Sequence, residues 1–353
     1  MPDILEGLSP LQVNYALSLP HSLLATMSLM CAAPRFEGLG DWLHEARTWL
    51  PADLLADICL LVTFPGGYQR LTGELIAALP ANATELSYPQ LMAHLEDIPG
   101  REYQRIALRA LARGTTPHPE LEALATLLDQ PAEWSAYLAN VESEWEPETV
   151  AALLRDGDTL KSRLLGALRG FWQRVYSQEF EATRSLMERS LAFHQAQSSN
   201  PVFHDLFVSV TGRLIPEQVA ELLPLIRRVI FVPSCYVGPY VAYTHYNEHL
   251  ILYYNCRSAP AGPTVADGGS LYPPVKALAD ETRLQILDIL RGRELYAQEI
   301  VEQLDISQPA VSRHLNLMVA ASVLQMRREG NAKYYSINGK TLAQLADALR
   351  TFV

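Results

Sequence analysis

The chain has 353 residues, 49% of them hydrophobic and 19% charged, which is ordinary for a globular protein long enough for two or three domains. A formal net charge of -11 excludes a protein that coats nucleic acid by bulk positive charge, but the acid is unevenly spread: ten basic residues face nine acidic ones from Leu271 onward, against 18 and 30 before it. Cys31, Cys59, Cys235 and Cys256 are scattered without a CxxC pair, which excludes a disulfide scaffold and predicts reduced thiols in a cytoplasmic protein.

In chain order, LSLPHSLLATMSLMCAAP (17–34) is the most apolar early stretch. It is too short and too interrupted by Pro20 and His21 to cross a membrane, and no membrane partner is expected. Apolar periodicity predicts helices at Leu43–Leu50, Asp53–Thr63, Glu102–Arg113, Glu120–Leu128 and Glu148–Leu154, and a long run from Thr159 to about Gln197. FPGG (64–67) reads as a turn, since it lacks the lysine and the following residues of a phosphate cradle. From Pro201 to Asn255 the character shifts to β-branched and aromatic residues, as in RRVIFVPS and HLILYYN, which predicts two or more strands joined around Gly238–Glu248. Cys235, His245, His249 and Cys256 fall among tyrosines here. A thiophilic metal is one reading, but the spacing fits no standard zinc pattern, so aromatic packing is favoured and no metal is assigned. The tyrosines also suit the wall of a small-molecule pocket. No nucleotide loop, GxSxG elbow or HExxH pair occurs, so neither an enzyme nor a cofactor is expected.

CRSAPAGPTVADGGSLYPP concentrates Pro, Gly, Ala and Ser and reads as a linker. The expected organisation is mainly α (α+β): a mostly helical domain with a small β-sheet over 1–255, a linker over 256–273, and a compact module over 274–353. That module opens with two short helices, VKALAD and ETRLQILDILRG, with Asp280 as N-cap and Gly292 as stop. LYAQEIVEQL and ISQPAVSRHLNLM follow around a turn at Asp305-Ile306, the order of a helix-turn-helix. In the second of these, Ser307 is placed as N-cap, Pro309 is harmless in the first turn, and Val311, Leu315 and Met318 form one apolar stripe. Gln308, Ser312, Arg313 and Asn316 lie mostly on the opposite side, and with Ser307 and Pro309 they form the expected DNA-binding set, suited to base edges and phosphates. His314 is divided between a DNA ligand and a helix-bridging role, and Arg283 between a phosphate and an internal partner. VLQMRREGNAKYYSI then gives two extended runs turning at Gly330-Asn331, a wing with Arg327, Arg328, Asn331 and Lys333 near its tip. The closing helix GKTLAQLADALRTFV carries an apolar stripe in need of a partner.

LADETRLQILDIL, ELYAQEIVEQLDISQPAVSRHLNLMVAASVL and RREGNAKYYSI, in that order, closely resemble the winged helix-turn-helix of ArsR-type bacterial transcription regulators. The resemblance implies double-stranded DNA as partner, a homodimer on a partly palindromic operator, and often a repressor released by a ligand. It departs from many metal sensors of the family, whose CxC pair is replaced here by Tyr296 and Gln298. Asp305 stands where Gly is frequent, and Asn331 where a basic residue is common. The expected function is a DNA-binding regulator with a small-molecule effector acting at the larger domain. The alternative is an enzyme or metal-binding protein with an appended winged-helix module.

Overall fold

The computed structural model describes residues 11–64, 70–113, 119–139, 141, 145–197, 202–213, 215–258, 272–329 and 332–350. The FPGG turn beyond Phe64 and most of the linker lie outside them. The chain opens with strand β1 (Gln12–Tyr15) and helix α1 (Leu19–Ala32), of which thirteen of fourteen residues are buried. A helix apolar all round has no solvent face, so it belongs at the centre of a core. On it pack α2 (Trp42–Trp49), α3 (Ala52–Thr63), α4 (Arg70–Ala77) and α5 (Tyr88–Asp97), and α6 (Gly100–Ala112), α7 (Leu121–Leu127), α8 (Pro131–Ala139) and α9 (Pro147–Arg155) extend the same core. The long helical run divides into α10 (Gly157–Phe171) and α11 (Ser177–Gln197), joined by a π-helical turn over Trp172–Tyr176 whose Trp172 stacks on Tyr88 at 4.4 Å.

After α12 (Phe203–Thr211) and α13 (Glu217–Leu222) come β2 (Arg228–Ser234), β3 (Ala242–Tyr246) and β4 (His249–Asn255). The sheet order is β1-β2-β4-β3, parallel except for the last pair, with Val13 opposite Val229 and Ile230 opposite Ile251. Six of the seven residues of β2 are buried, as expected of a parallel strand covered on both faces. Ile230, Val232, Ile251 and Tyr253 face the α1 core, while Val229, Phe231, Leu250, Leu252 and Tyr254 face Phe207, Val210 and Val219 from α12 and α13. The strand-rich segment is thus a sheet between two helical layers, one of them larger than the sequence had shown.

A separate core organises the C-terminal module. Its elements are α14 (Tyr272–Leu278), α15 (Glu281–Ile289), β5 (Leu295–Tyr296), α16 (Ala297–Leu304), α17 (Gln308–Ala320), β6 (Leu324–Glu329), β7 (Ala332–Ile337) and α18 (Gly339–Arg350), with a sheet ordered β5-β7-β6. Asp280 caps α15 by accepting the Arg283 amide at 3.0 Å, and Gly292 takes the left-handed φ of +70° that stops it. Among the described residues no helix is long and apolar enough to cross a membrane.

The cysteines correct the expectation of four reduced thiols. Cys31 of α1 and Cys59 of α3 are joined as a disulfide, because the two packed helices bring their Cα atoms to 5.4 Å, inside the range a disulfide spans. Cys235 and Cys256 follow the last paired residues of β2 and β4, Ser234 and Asn255, and their sulfurs lie 2.8 Å apart.

Candidate nucleic-acid interface

Helix α16 ends at Asp305, which adopts the left-handed conformation (φ 54°) that the tight connection to α17 demands. An aspartate reaches this region at modest cost, so the missing glycine is accommodated. Ser307 occupies the N-cap of α17 with extended backbone, but its hydroxyl makes no capping bond, contrary to the capping role expected of it. The hydroxyl is left on the surface at the head of the helix.

Val311, Leu315 and Met318 are fully buried and lock α17 into its own core. Gln308, Pro309, Ser312 and Arg313 are exposed on the other side, with Asn316 half-buried at its edge. A rigid backbone therefore presents a polar and cationic arc on the first two turns. His314 lies outside that arc, half-buried, with Nδ1 3.3 Å from Glu37 Oε2. It bridges to the large domain.

The hairpin β6–β7 pairs Arg327 with Tyr334, Arg328 with Lys333 and Glu329 with Ala332, leaving a two-residue connection. Gly330 and Asn331 lie outside the described residues, as does the Arg328 side chain. Lys333 is exposed. Arg327 is held over the Tyr334 ring at 4.7 Å and donates to Glu294, with Nη2–Oε2 at 2.8 Å. That hydrogen bond holds the Glu294 carboxyl below its usual pKa, while the slight burial of the pair works the other way. Arg327 thus stands on the surface with its charge already matched.

Arg283 is buried, donating through Nε to the Ala277 carbonyl and through Nη1 to Glu37 Oε1 at 2.6 Å. Of its two expected roles it takes the internal one. Glu37 is the residue that sequence reasoning missed: one carboxylate meets both the buried arginine of α15 and the histidine of α17. The signal present in EGLG was its glycines, since Gly38 has φ +85° and a Cβ there would lie 2.9 Å from Leu317 Cδ1.

The cysteine and histidine cluster does not converge. His245 and His249 belong to the opposite end of the β3–β4 hairpin from the cysteines, on the order of 20 Å away at about 3.3 Å per residue. Tyr236, Tyr253 and Tyr254 are buried in the two cores, so these three rings pack rather than line an opening. A cleft of about 420 Å³ lies instead against β1, with Asn14, Tyr15, Gln195 and Arg228 among its walls.

Residues 280–323, from the cap of α15 to the start of β6, match the family model described as bacterial regulatory protein, arsR family. The transcriptional repressor SdpR of Bacillus subtilis is 38% identical over 78 residues, covering 22% of this chain and 87% of that protein. The arsenical resistance operon repressor of Staphylococcus aureus is 35% identical over 75 residues, covering 21% of this chain and 72% of its own. Among solved structures, HlyU from Vibrio cholerae shares 30% identity over 23% of this chain and 89% of that one, with a TM-score of 0.20. With a helix-turn-helix, a wing and these relatives all falling on its last quarter, the chain belongs to the ArsR family of DNA-binding bacterial transcription regulators.

Proposed function

We propose that the protein reads a partly palindromic operator as a homodimer, each copy laying the first turns of α17 in the major groove and the β6–β7 wing against the flanking backbone. One observation carries this reading: the exposed Gln308–Ser312–Arg313 arc on a helix whose opposite side is sealed in the core. Arg313 suits guanine and Gln308 adenine, as bidentate pairs worth about 1–3 kcal/mol of discrimination each. Ser307, Ser312, Arg327, Arg328 and Lys333 suit phosphates, with Pro309, Asn316 and Asn331 completing the contact surface and His314 anchoring the helix from behind. The homodimer is supported by α14 and α18, which pack on each other and leave Val275 42% and Leu349 49% exposed. The reading places the protein in the cytoplasm with its operator, and repression follows the names of SdpR and the arsenical resistance operon repressor. A small-molecule effector acts at the large domain, where the cleft beside Arg228 offers polar walls.

The test is fluorescence anisotropy of the full chain on labelled duplexes tiling its own promoter, at fixed salt. One fragment is expected to bind at least a hundredfold tighter than random duplex. Arg313→Ala should weaken that fragment about tenfold or more, as the loss of a bidentate pair requires, and leave random duplex nearly unchanged. Arg189→Ala, on the exposed face of α11, should change neither. Equal binding to every fragment would overturn the reading.

A further inference from the structure

All four cysteines of the chain stand in two pairs, and each pair sits at the root of one of two interlocked segments of the large domain, the first of which contacts the DNA-binding module, while Arg213 reaches that module separately at Ser322. The first segment follows α1, where Cys31 lies, and brings Glu37 to Arg283 and His314 and Gly38 to Leu317. The second begins at Cys235 and runs to Tyr240. The two segments are locked together: the Gly40 amide donates to the Tyr236 carbonyl at 3.0 Å, and the Tyr240 hydroxyl donates to the Glu37 carbonyl at 2.8 Å. Gly238, with φ +58°, presses so close that a Cβ there would fall 2.0 Å from the Gly38 carbonyl oxygen. Asn255, the neighbour of Cys256, donates its side-chain amide to the Gly238 carbonyl at 2.9 Å. Both members of the Cys235–Cys256 pair are therefore one residue away from groups that hold the seam.

We propose that Cys235 and Cys256 are a thiol–disulfide site, closed by a hydroperoxide, whose state is passed through residues 235–240 and Glu37 to the DNA-reading helix. Its output on DNA rests on the function proposed above; the site itself does not. The pair is in hydrogen-bonding distance at 2.8 Å, whereas a lone buried cysteine is an inert small hydrophobe. Closure brings the sulfurs to about 2.05 Å, a displacement the ends of two adjacent strands can make.

The chemistry balances with a hydroperoxide as the named oxidant. The thiolate sulfur of one cysteine attacks the O–O bond and takes one oxygen as sulfenic acid, the other leaving as alcohol, or as water from hydrogen peroxide. The second thiol sulfur then attacks the sulfenic sulfur, forming the S–S bond and releasing water. Two thiols and one hydroperoxide give one disulfide, one alcohol and one water, with two electrons passing from sulfur to oxygen. Cys235 is the attacking sulfur, because the hydrogen bond from the Cys256 thiol holds it below the ordinary thiol range against the opposing effect of burial, and Arg257 assists. The same hydrogen bond and its own burial push Cys256 up, so it keeps its proton until the second step.

The experiment uses the full chain, treated with graded hydrogen peroxide, then denatured and alkylated. No Lys or Arg occurs between Val229 and Cys256, so one tryptic fragment, 229–257, holds both sulfurs and closure reads as the joint loss of two alkylations, reversed by dithiothreitol. Hydrogen exchange on the same samples is expected to change at least threefold at 235–240 and in the 314–317 turn of α17. Affinity for the promoter fragment is expected to change at least fivefold in the wild type and less than twofold in Cys256→Ser. Recovery of both cysteines alkylated, or oxidised singly, overturns the proposal. So does a closed pair that leaves exchange across the seam unmoved. Should Cys256→Ser fail to fold, the wild-type readings decide alone. A chain that binds no fragment in either state defeats the DNA reading, while fragment mass and exchange still judge the thiol site.

Discussion

His21 is buried in the first turn of α1, sharing a 2.6 Å hydrogen bond with the Ser18 hydroxyl, and burial lowers its pKa to about 4. The folded protein therefore keeps this ring neutral where the unfolded chain begins to protonate it, near pH 6.5. Above 6.5 both states are neutral and nothing is lost. Between 6.5 and about 4 each pH unit costs about 1.4 kcal/mol, approaching ~3 kcal/mol at the lower end. Urea midpoints at pH 7, 5.5 and 4.5 should fall accordingly, and more shallowly in His21→Gln. On the DNA-binding side, Arg327 is matched by Glu294, so a phosphate must displace that carboxylate before it gains the arginine. Glu294→Gln is expected to tighten binding to any duplex severalfold at low salt, whereas Arg327→Ala should reduce the slope of log K against log salt by about one. Residues of this kind differ in how far a sequence shows them. Gln308, Ser312 and Arg313 were legible because helical periodicity separates them from Val311 and Leu315, while Glu37 was not, since its partners lie hundreds of positions downstream and no local rule pairs them.

Elements with contrast between their faces were found close to their observed bounds, as with α3, α6 and α9. Helix α1 has no contrast between its faces for periodicity to show; β1, four residues long, is strand only because β2 pairs with it. The connection expected between two strands holds a third, β3, whose alternation is blurred by partial burial on both sides. Element packing also sets which glycines tolerate a side chain. Where α6 and α10 begin, Gly100 and Gly157 meet backbone to backbone, and a Cβ on Gly157 would lie 2.2 Å from the Gly100 carbonyl oxygen. Backbone cannot step aside as a side chain does. Gly157→Ala is expected to cost about 1–3 kcal/mol or more. Gly166, further along α10 with nothing within 4 Å, should instead gain ~0.5–1 kcal/mol on change to Ala. Chemical denaturation of the two variants gives the signs directly.

At the scale of the whole molecule, the core of the DNA-binding module is separate from the two cores on either face of the large domain's sheet, and Glu37 ties the module to the large domain through a buried arginine. Removing a partner from a buried charge costs far more than a surface pair is worth. Glu37→Ala is therefore expected to split one calorimetric transition into two, the module around Ile286 and Leu315 melting first, by separating its stability from that of the larger domain. A single unchanged transition would show that the seam carries no energy. The module itself was legible, since its elements are short, local and consecutive. The seam was not, because Gly38, Gly238 and Leu317 become neighbours only after both cores exist.

The parallel pairing of β1 with β2 joins Val13 to Val229 across more than two hundred intervening residues. A ribosome emitting about 5–20 residues per second must run for ten seconds or longer before the first strand can find its neighbour. Over that interval Gln12–Tyr15 waits with an unsatisfied hydrogen-bonding edge beside an oily α1, a template for pairing with other nascent chains. Yield in a host should accordingly respond to chaperone supply and growth temperature, and hardly at all to changes within the quickly closed wing.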